Sequence, residues 1–350
     1  MAQVIVPIVP VDEIWFYSEK EKPYGAFSNF YPCKIIIGNI EYPNSEAYYQ
    51  SLKFTGKNAS DVDLRYSEII RSQNTGNKAA VLARQSKPQL TYQWGRDLWE
   101  IIQEYQELGA TIRKDWDEVK DNVMRRVVYQ KFFQNEKLRS LLLSTGDKLI
   151  YEHTSRDSYW ADGHPRDNPN VHGDGKNMLG IILEEVRYIL GGQLSSRFKS
   201  MNTFEYSNWI IPGTLLMSGC PSHSENARGS RSMTEVPREE NFIEMKKGGF
   251  QYFISLMTFD EESQIGYRGK DFEDPKEDFC MLSDDVILAR YEIPDRKITD
   301  DEKAISISNV ALQGIGRGNP VVLHCFGGKG RTGTSFQKEN PGHSKNDQEP

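Results

Sequence analysis

The sequence predicts a chain of two domains, a first over residues 12–192 that mixes strands with amphipathic helices and an α/β second over residues 208–336. Three observations lead there. The chain has 350 residues, more than one domain of roughly 100–200 residues commonly holds. Up to residue 190 or so, strand-like stretches alternate with amphipathic helical periodicity. Beyond the small, polar stretch GGQLSSRFKSMN, short apolar runs alternate with polar and acidic segments, as they do in an α/β sheet. Residues 193–207 accordingly read as a linker and residues 337–350 as a disordered tail.

Each element has a local reason. In CKIIIGNIEYP, β-branched residues flank Gly38-Asn39, which predicts two short strands joined by a tight turn. Asn44 follows Pro43 and caps a helix through SEAYYQSLKF. Trp116, Val119, Val123, Val127 and Phe132 recur at near-helical spacing and mark the buried face of a helix over 115–133. NEKLRSLLLSTGDK predicts a shorter helix stopped by Gly146, and GKNMLGIILEEVRYILGG a last one ending at Gly191-Gly192. In the second domain WIIPGTLLMSG, GFQYFISLMTF, VILARYEIP and NPVVLHC read as buried strands.

Composition narrows the function. Hydrophobic residues make up 37% and charged residues 27%, enough for packed cores. A net charge of -7 argues against general attraction to nucleic acid. Cys33, Cys220, Cys280 and Cys325 lie far apart with no pair at metal-ligand spacing, so neither a metal nor a cofactor is expected. The apolar N-terminus lacks a basic leader and meets Asp12 and Glu13 early, unlike a signal peptide. No apolar run approaches the ~20 residues of a membrane helix. These features predict a soluble protein of a reducing, cytoplasmic compartment.

In the first domain Glu46 falls in the first turn of a helix, where the dipole favours its charge, with Gln50 and Lys53 further along the same face. Glu152 and Asp157 flank a polar loop, EHTSRDSYWADG. Paired carboxylates suit glycosidic cleavage, one assisting departure and another stabilising an oxocarbenium-like ion or guiding water. Trp116 and Trp160 have the shape to stack on a planar base or a sugar face. Taken alone, each residue also fits an ordinary structural role: a helix-dipole acid, a core tryptophan, a turn-capping aspartate.

The blocks YGAFSNF, PNSEAYYQ, EVK with NVMRRVV, LRSLLLSTGDKLIYEHTSRDSYWADG and GKNMLGIILEEVR together resemble the NADAR family of YbiA-like N-glycosidases. The resemblance covers nearly all of residues 14–190. It implies an α+β, largely helical fold and hydrolysis of an N-glycosidic bond in a ribosylated small molecule, either a riboflavin-pathway ribosylaminopyrimidine or an ADP-ribose-linked compound. It also implies Glu46, Trp116 and Asp157 as catalytic residues, with Phe27, Ser28, Asn29, Phe30, Glu152, Trp160 and Asn177 lining the pocket. WADG places Ala161 where the family often has glycine, and HPRDNPNVHGD and YQWGRDLWEIIQEYQELGA are longer than in short bacterial relatives, so both are expected at the pocket rim.

In the second domain, VVLHCFGGKGRTGT sets Cys325 and Arg331 with five residues between them. Gly327, Gly328, Lys329 and Gly330 present a backbone suited to a phosphate dianion. Arg331 has the planar fork to grip two phosphate oxygens, and Thr332 the hydroxyl to donate to the sulfur. The segment over 209–334 resembles the dual-specificity and tyrosine phosphatases, which implies a cysteine nucleophile and makes Asp295 of YEIPDRKITDDE the general acid. Those phosphatases continue into further helices, whereas SFQKENPGHSKNDQEP allows about two turns before Pro341-Gly342. The expected domain therefore lacks its final helices, and its activity is expected to suffer. Three readings stay open on these residues: a bifunctional glycosidase and phosphatase acting on a phosphorylated substrate, a non-catalytic ADP-ribose or nucleotide binder, and a glycosidase with a degenerate phosphatase module.

Overall fold

The computed structural model describes residues 13–165, 171–199, 207–219, 250, 252–258, 260–261, 287–295, 297–316, 320–325 and 331–332. The chain divides into two compact units, Met1–Arg197 and Phe198–Pro350. Among the described residues no helix is long and apolar enough to cross a membrane.

The first unit is built on two small sheets and a set of helices. Strand β1 (Glu13–Phe16) pairs in parallel with β4 (Leu149–Glu152), matching Glu13 to Leu149 and Phe16 to Glu152. Strands β2 (Ile35–Ile37) and β3 (Ile40–Tyr42) form the expected hairpin. Gly38 and Asn39 both take positive φ, 59° and 64°, the geometry a two-residue hairpin turn needs. Asn44 Oδ1 accepts from the Ala47 amide at 2.8 Å and starts α1 (Ser45–Ser51).

Helices α2 (Asp61–Arg71), α3 (Gly76–Arg84) and α4 (Gln93–Glu107) follow. Ser60 and Asp63 cap α2 reciprocally, a two-sided device that satisfies two amides left without intrahelical partners. The long segment containing α4 packs Leu98 and Ile102 with Ala47, Phe54, Tyr66, Ile70 and Leu82, so the helix serves a core of its own. Helix α5 (Trp116–Gln134) spans the periodic stretch and buries Val123, Met124, Val127, Val128 and Phe132 in the main core with Phe16, Phe27, Ile150 and Leu183. Helices α6 (Glu136–Leu143) and α7 (Met178–Ile189) complete the unit. Helix α7 approaches β4 so closely that a Cβ on Gly180 would lie 2.0 Å from the Ile150 carbonyl oxygen.

The stretch read as linker carries structure. Helix α8 (Ser196–Lys199) lies within it, and Ser195 Oγ donates to the buried Glu184 carboxylate at 2.6 Å. Arg197 pairs with the same carboxylate at 3.4 Å. Glu184 also accepts from the Ile150 amide at 2.9 Å, so residues just beyond α7 are tied to β4. A buried carboxylate with several donors is well placed to attract such a segment.

The second unit holds a five-stranded sheet of order β5-β6-β9-β7-β8, comprising Ser207–Ile211, Leu215–Ser218, Val321–His324, Tyr252–Ser255 and Ile287–Arg290. β5 and β6 are antiparallel and the other neighbours are parallel. All four expected apolar runs supply strands. Helix α9 (Asp301–Gly316) lays Ile307, Ala311 and Ile315 on Tyr252, Ile254 and Val321. The expected tail at 337–350 lies outside the described residues.

Candidate active site

In the first unit, the short helix α1 and the loop after β4 bring an acidic cluster together. Glu46 is 8% exposed, and its Oε1 accepts from Gln50 Nε2 at 2.7 Å. Burial pushes its carboxyl above the usual range and Asp157 adds to that push, while the Gln50 hydrogen bond, Lys53 and Arg84 oppose it. Glu152, at the end of β4, is pushed up to about 8 by burial and then by Asp157, Glu46 and Asp162. Three of the expected acids therefore act on one another electrostatically, and like charges this close favour keeping one of them protonated.

Lys53 answers that charge. Burial pushes its amine down, Glu46 raises it, and Arg84 and Lys120 lower it. Its Nζ lies 5.7 Å from the ring centroids of both Tyr49 and Trp116, within cation–π reach. A half-buried lysine of lowered basicity is an amine available for proton transfer as well as for charge balance. The backbone holds it too, because the Arg113 amide donates to the Lys53 carbonyl at 2.8 Å just before Trp116 begins α5.

The aromatic wall is Tyr49, Trp116 and Trp160. Tyr49 meets Trp116 edge-on at 5.0 Å and Trp160 edge-on at 5.4 Å. Burial pushes the Tyr49 phenol up and Glu46 adds to it, so the ring stays neutral. Asp157 shapes this wall: its Oδ1 accepts from the Tyr159 amide at 2.8 Å and the Trp160 amide at 2.7 Å. That bond pair is a local turn closure.

The remaining expected residues take distinct places. Asn29 is buried, its carbonyl accepts from the Glu46 amide at 3.1 Å, and its side-chain Oδ1 has no hydrogen-bond partner among the described residues. Phe30 is half-buried next to α3, where a Cβ on Gly76 would come within 2.8 Å of the Phe30 ring and 3.0 Å of Glu46 Cβ. Ser28 turns its hydroxyl to the Phe30 amide at 3.3 Å. Phe27 packs edge-on against Phe16 at 5.8 Å and Phe132 at 5.9 Å, inside the main core. Asn177 adopts φ of 51° and holds β4, accepting from the Glu152 amide at 3.0 Å and donating to the Ile150 carbonyl at 2.8 Å. Phe27 is thus a member of the main core and Asn177 is tied to β4. Ala161 is buried at an ordinary negative φ, so alanine costs nothing in backbone strain there.

Lys53 and Gln50 were visible as neighbours of Glu46 on one helix face; Tyr49 and Arg84 carried no sequence signal of their own. Of the two long segments expected at the rim, α4 belongs to the core described above, and residues 166–170 of the other lie outside the described residues.

The second unit carries a separate cluster at the end of β9. Cys325 is buried, and Thr332 Oγ1 donates to its Sγ at 2.8 Å. Arg331 is held by Glu261 through two hydrogen bonds, 2.5 and 2.8 Å, and donates to the Ile293 carbonyl at 3.0 Å. Asp295 is largely exposed, with Oδ1 3.9 Å from the same guanidinium. Burial drives the His324 imidazole down to about 3, and Arg331 and Arg290 add to it, so the ring beside Cys325 is neutral. Gly327, Gly328, Lys329 and Gly330 lie outside the described residues. Glu261 was not foreseen, since nothing in its local pattern points seventy residues ahead to Arg331.

A mixed scaffold of helices and small sheets, with the buried Glu46 electrostatically coupled to the half-buried Glu152 and Asp157 and with three aromatic rings in mutual contact, defines the first unit as an α+β domain with an acidic, aromatic-walled site. The chain belongs to the NADAR family, whose NADAR domain profile matches residues 15–191. It is 36% identical over 186 residues to N-glycosidase YbiA of Escherichia coli (strain K12), covering 53% of this chain and 93% of that protein. The NMR structure of E. coli YbiA superimposes with a TM-score of 0.38 at 31% identity, over 59% of this chain and 96% of that one. A riboflavin biosynthesis protein of Vibrio vulnificus (strain YJ016) is 34% identical over 174 residues, 50% of this chain and 37% of that protein. The second unit has a slighter likeness to a kinase-associated phosphatase whose catalytic-site cysteine is replaced by serine. That match has a TM-score of 0.27 at 16% identity, over 33% of this chain and 58% of the other.

Proposed function

We propose that the first unit hydrolyses the N-glycosidic bond of a ribosylated small molecule, of riboflavin-pathway or ADP-ribose type. The observation that carries this reading is the convergence of Glu46, Glu152 and Asp157 with Lys53 beside Tyr49, Trp116 and Trp160. The N-glycosidase named among its relatives, similar over nearly its whole length, supports it.

The planar base stacks against Trp116 and Trp160. Water adds its oxygen to the anomeric carbon and gives its proton to Glu46. The electrons of the broken C–N bond go to the base nitrogen, which takes a proton from Glu152. Glu46 and Glu152 then return to their starting states by exchange with solvent. The charged carboxylates favour the oxocarbenium-like transition state, and Asp157 keeps Trp160 in place. The deciding experiment supplies purified protein with ribosylaminopyrimidine phosphates and ADP-ribosylated nucleotides and follows free base by chromatography. Base release is expected; tight binding with no release would make the domain a nucleotide or ADP-ribose binder instead.

A second reading concerns the other unit. The hydroxyl of Thr332 on the Cys325 sulfur, with Arg331 close by, favours a phosphatase-like cluster, and its substrate would be a phosphorylated one. Turnover of a generic aryl phosphate should fall below detection in Cys325→Ser. Equal turnover in the variant removes the assignment, and no turnover in either protein leaves the unit as a degenerate module.

A further inference from the structure

Lys131 presents a puzzle of its own. It is 1% exposed on α5, and burial pushes its amine down to about 8, opposed by the Cys33 thiol. No carboxylate accompanies it among the described residues. Its Nζ donates to the Ser28 carbonyl at 2.8 Å and lies 5.7 and 5.5 Å from the Tyr31 and Phe132 ring centroids. Burying an ammonium this way is costly, and a methionine would fill the same space without the penalty. The amine must therefore serve a purpose that an apolar side chain cannot.

The contacts around Ser28 show what that purpose is. The Ser28 carbonyl also accepts from the Tyr31 amide at 3.1 Å, closing a tight turn. Asn29 Nδ2 donates to Met124 Sδ at 3.3 Å, and Met124 stands seven residues before Lys131 on the same face of α5. Helix α5 thus grips the turn at two points. On its other side, the Asn29 carbonyl accepts from the Glu46 amide at 3.1 Å, at the first turn of α1.

We infer that Lys131 is a positioning residue for the acidic site: its ammonium anchors the Ser28–Asn29 turn, and the turn fixes the backbone that carries Glu46. The inference rests on the proposed hydrolysis for its kinetic readout, but a second readout is independent of any activity. Among the described residues Lys131 makes no hydrogen bond or ion pair with the acids, so its effect on them passes through the turn.

The test uses the full chain with Lys131→Met. The melting temperature should hold or rise, because an isosteric apolar side chain relieves the buried charge. The kcat for base release should fall ~10- to 100-fold with KM nearly unchanged, since misplacement of a reacting group acts on the chemical step. Amide hydrogen exchange at Glu46 should quicken at least ~10-fold, while Leu183 in α7 keeps its protection. In a Glu46→Gln background the substitution should cost nothing further. Should Lys131→Met fail to fold, Met124→Leu loosens the same turn from its other grip and should show the same pattern more weakly. A folded Lys131→Met with unaltered kcat and unaltered Glu46 exchange overturns the inference, as does exchange that quickens equally in α7. Wild-type protein that releases no base would refute the hydrolase reading alone, leaving the exchange result to judge Lys131.

Discussion

Glu46→Gln is expected to reduce base release by about 10²- to 10⁴-fold while leaving the fold intact. The substitution is nearly isosteric, and Gln50 Nε2 can still donate to the retained amide oxygen at the place of the present 2.7 Å bond. What disappears is a buried charge. Its burial is unfavourable, so the melting temperature should stay level or rise. The site loses the group that takes the proton from water. It also loses the influence that raises the Lys53 amine, which should then titrate lower than in the wild type. A variant that folds normally and hydrolyses at the full rate would remove Glu46 from the mechanism and shift the role to Asp157. That outcome is disfavoured by the two amides that already occupy Asp157 Oδ1.

Local rules carried much of the architecture. The Gly38-Asn39 turn was legible because its two positive φ values are what that dipeptide adopts readily. Helix α5 was legible because its buried face repeats at a helical period over nineteen residues. Nothing local announces the pairing of β1 with β4, which joins strands far apart in the chain. The same limit applies to the site. The motif blocks single out Glu46, Asp157 and Trp116, yet the mutual electrostatics of Glu46, Glu152 and Asp157 arise only in the folded chain. Asn177 shows the limit most plainly: its sequence position fits a ligand contact, while its left-handed backbone turns the amide onto β4 as a substitute strand partner. In the second unit the grip of Glu261 on Arg331 joins two strand ends through the sheet order, which a linear pattern does not encode.

Glu152 should make the stability of the first unit depend on pH in a direction opposite to that of a salt-bridged carboxylate. Its carboxyl is held up to about 8 when folded, by burial first and by neighbouring acids second, against roughly 4.3 in an unfolded chain. Between these values the folded protein keeps a proton that the unfolded chain has released. Stability therefore declines as pH rises through the window, with a slope of up to about 1.4 kcal/mol per pH unit from this group. Glu152→Gln cannot lose a proton and should flatten that slope. Melting curves of the two proteins should nearly coincide near pH 4, diverge progressively from about pH 5 to 8 and run level above that, with the variant more stable at pH 9 by on the order of 2 kcal/mol, a figure discounted for the partial exposure of the side chain. Activity should separate along the same axis. In the wild type, base release should decline above pH 8 or so as the donor proton is lost, whereas the variant should run slower throughout and lack that decline. Parallel stability curves from pH 5 to 9 would show that Glu152 is ionised in the folded protein, and the proton for the departing base would then have to come from elsewhere.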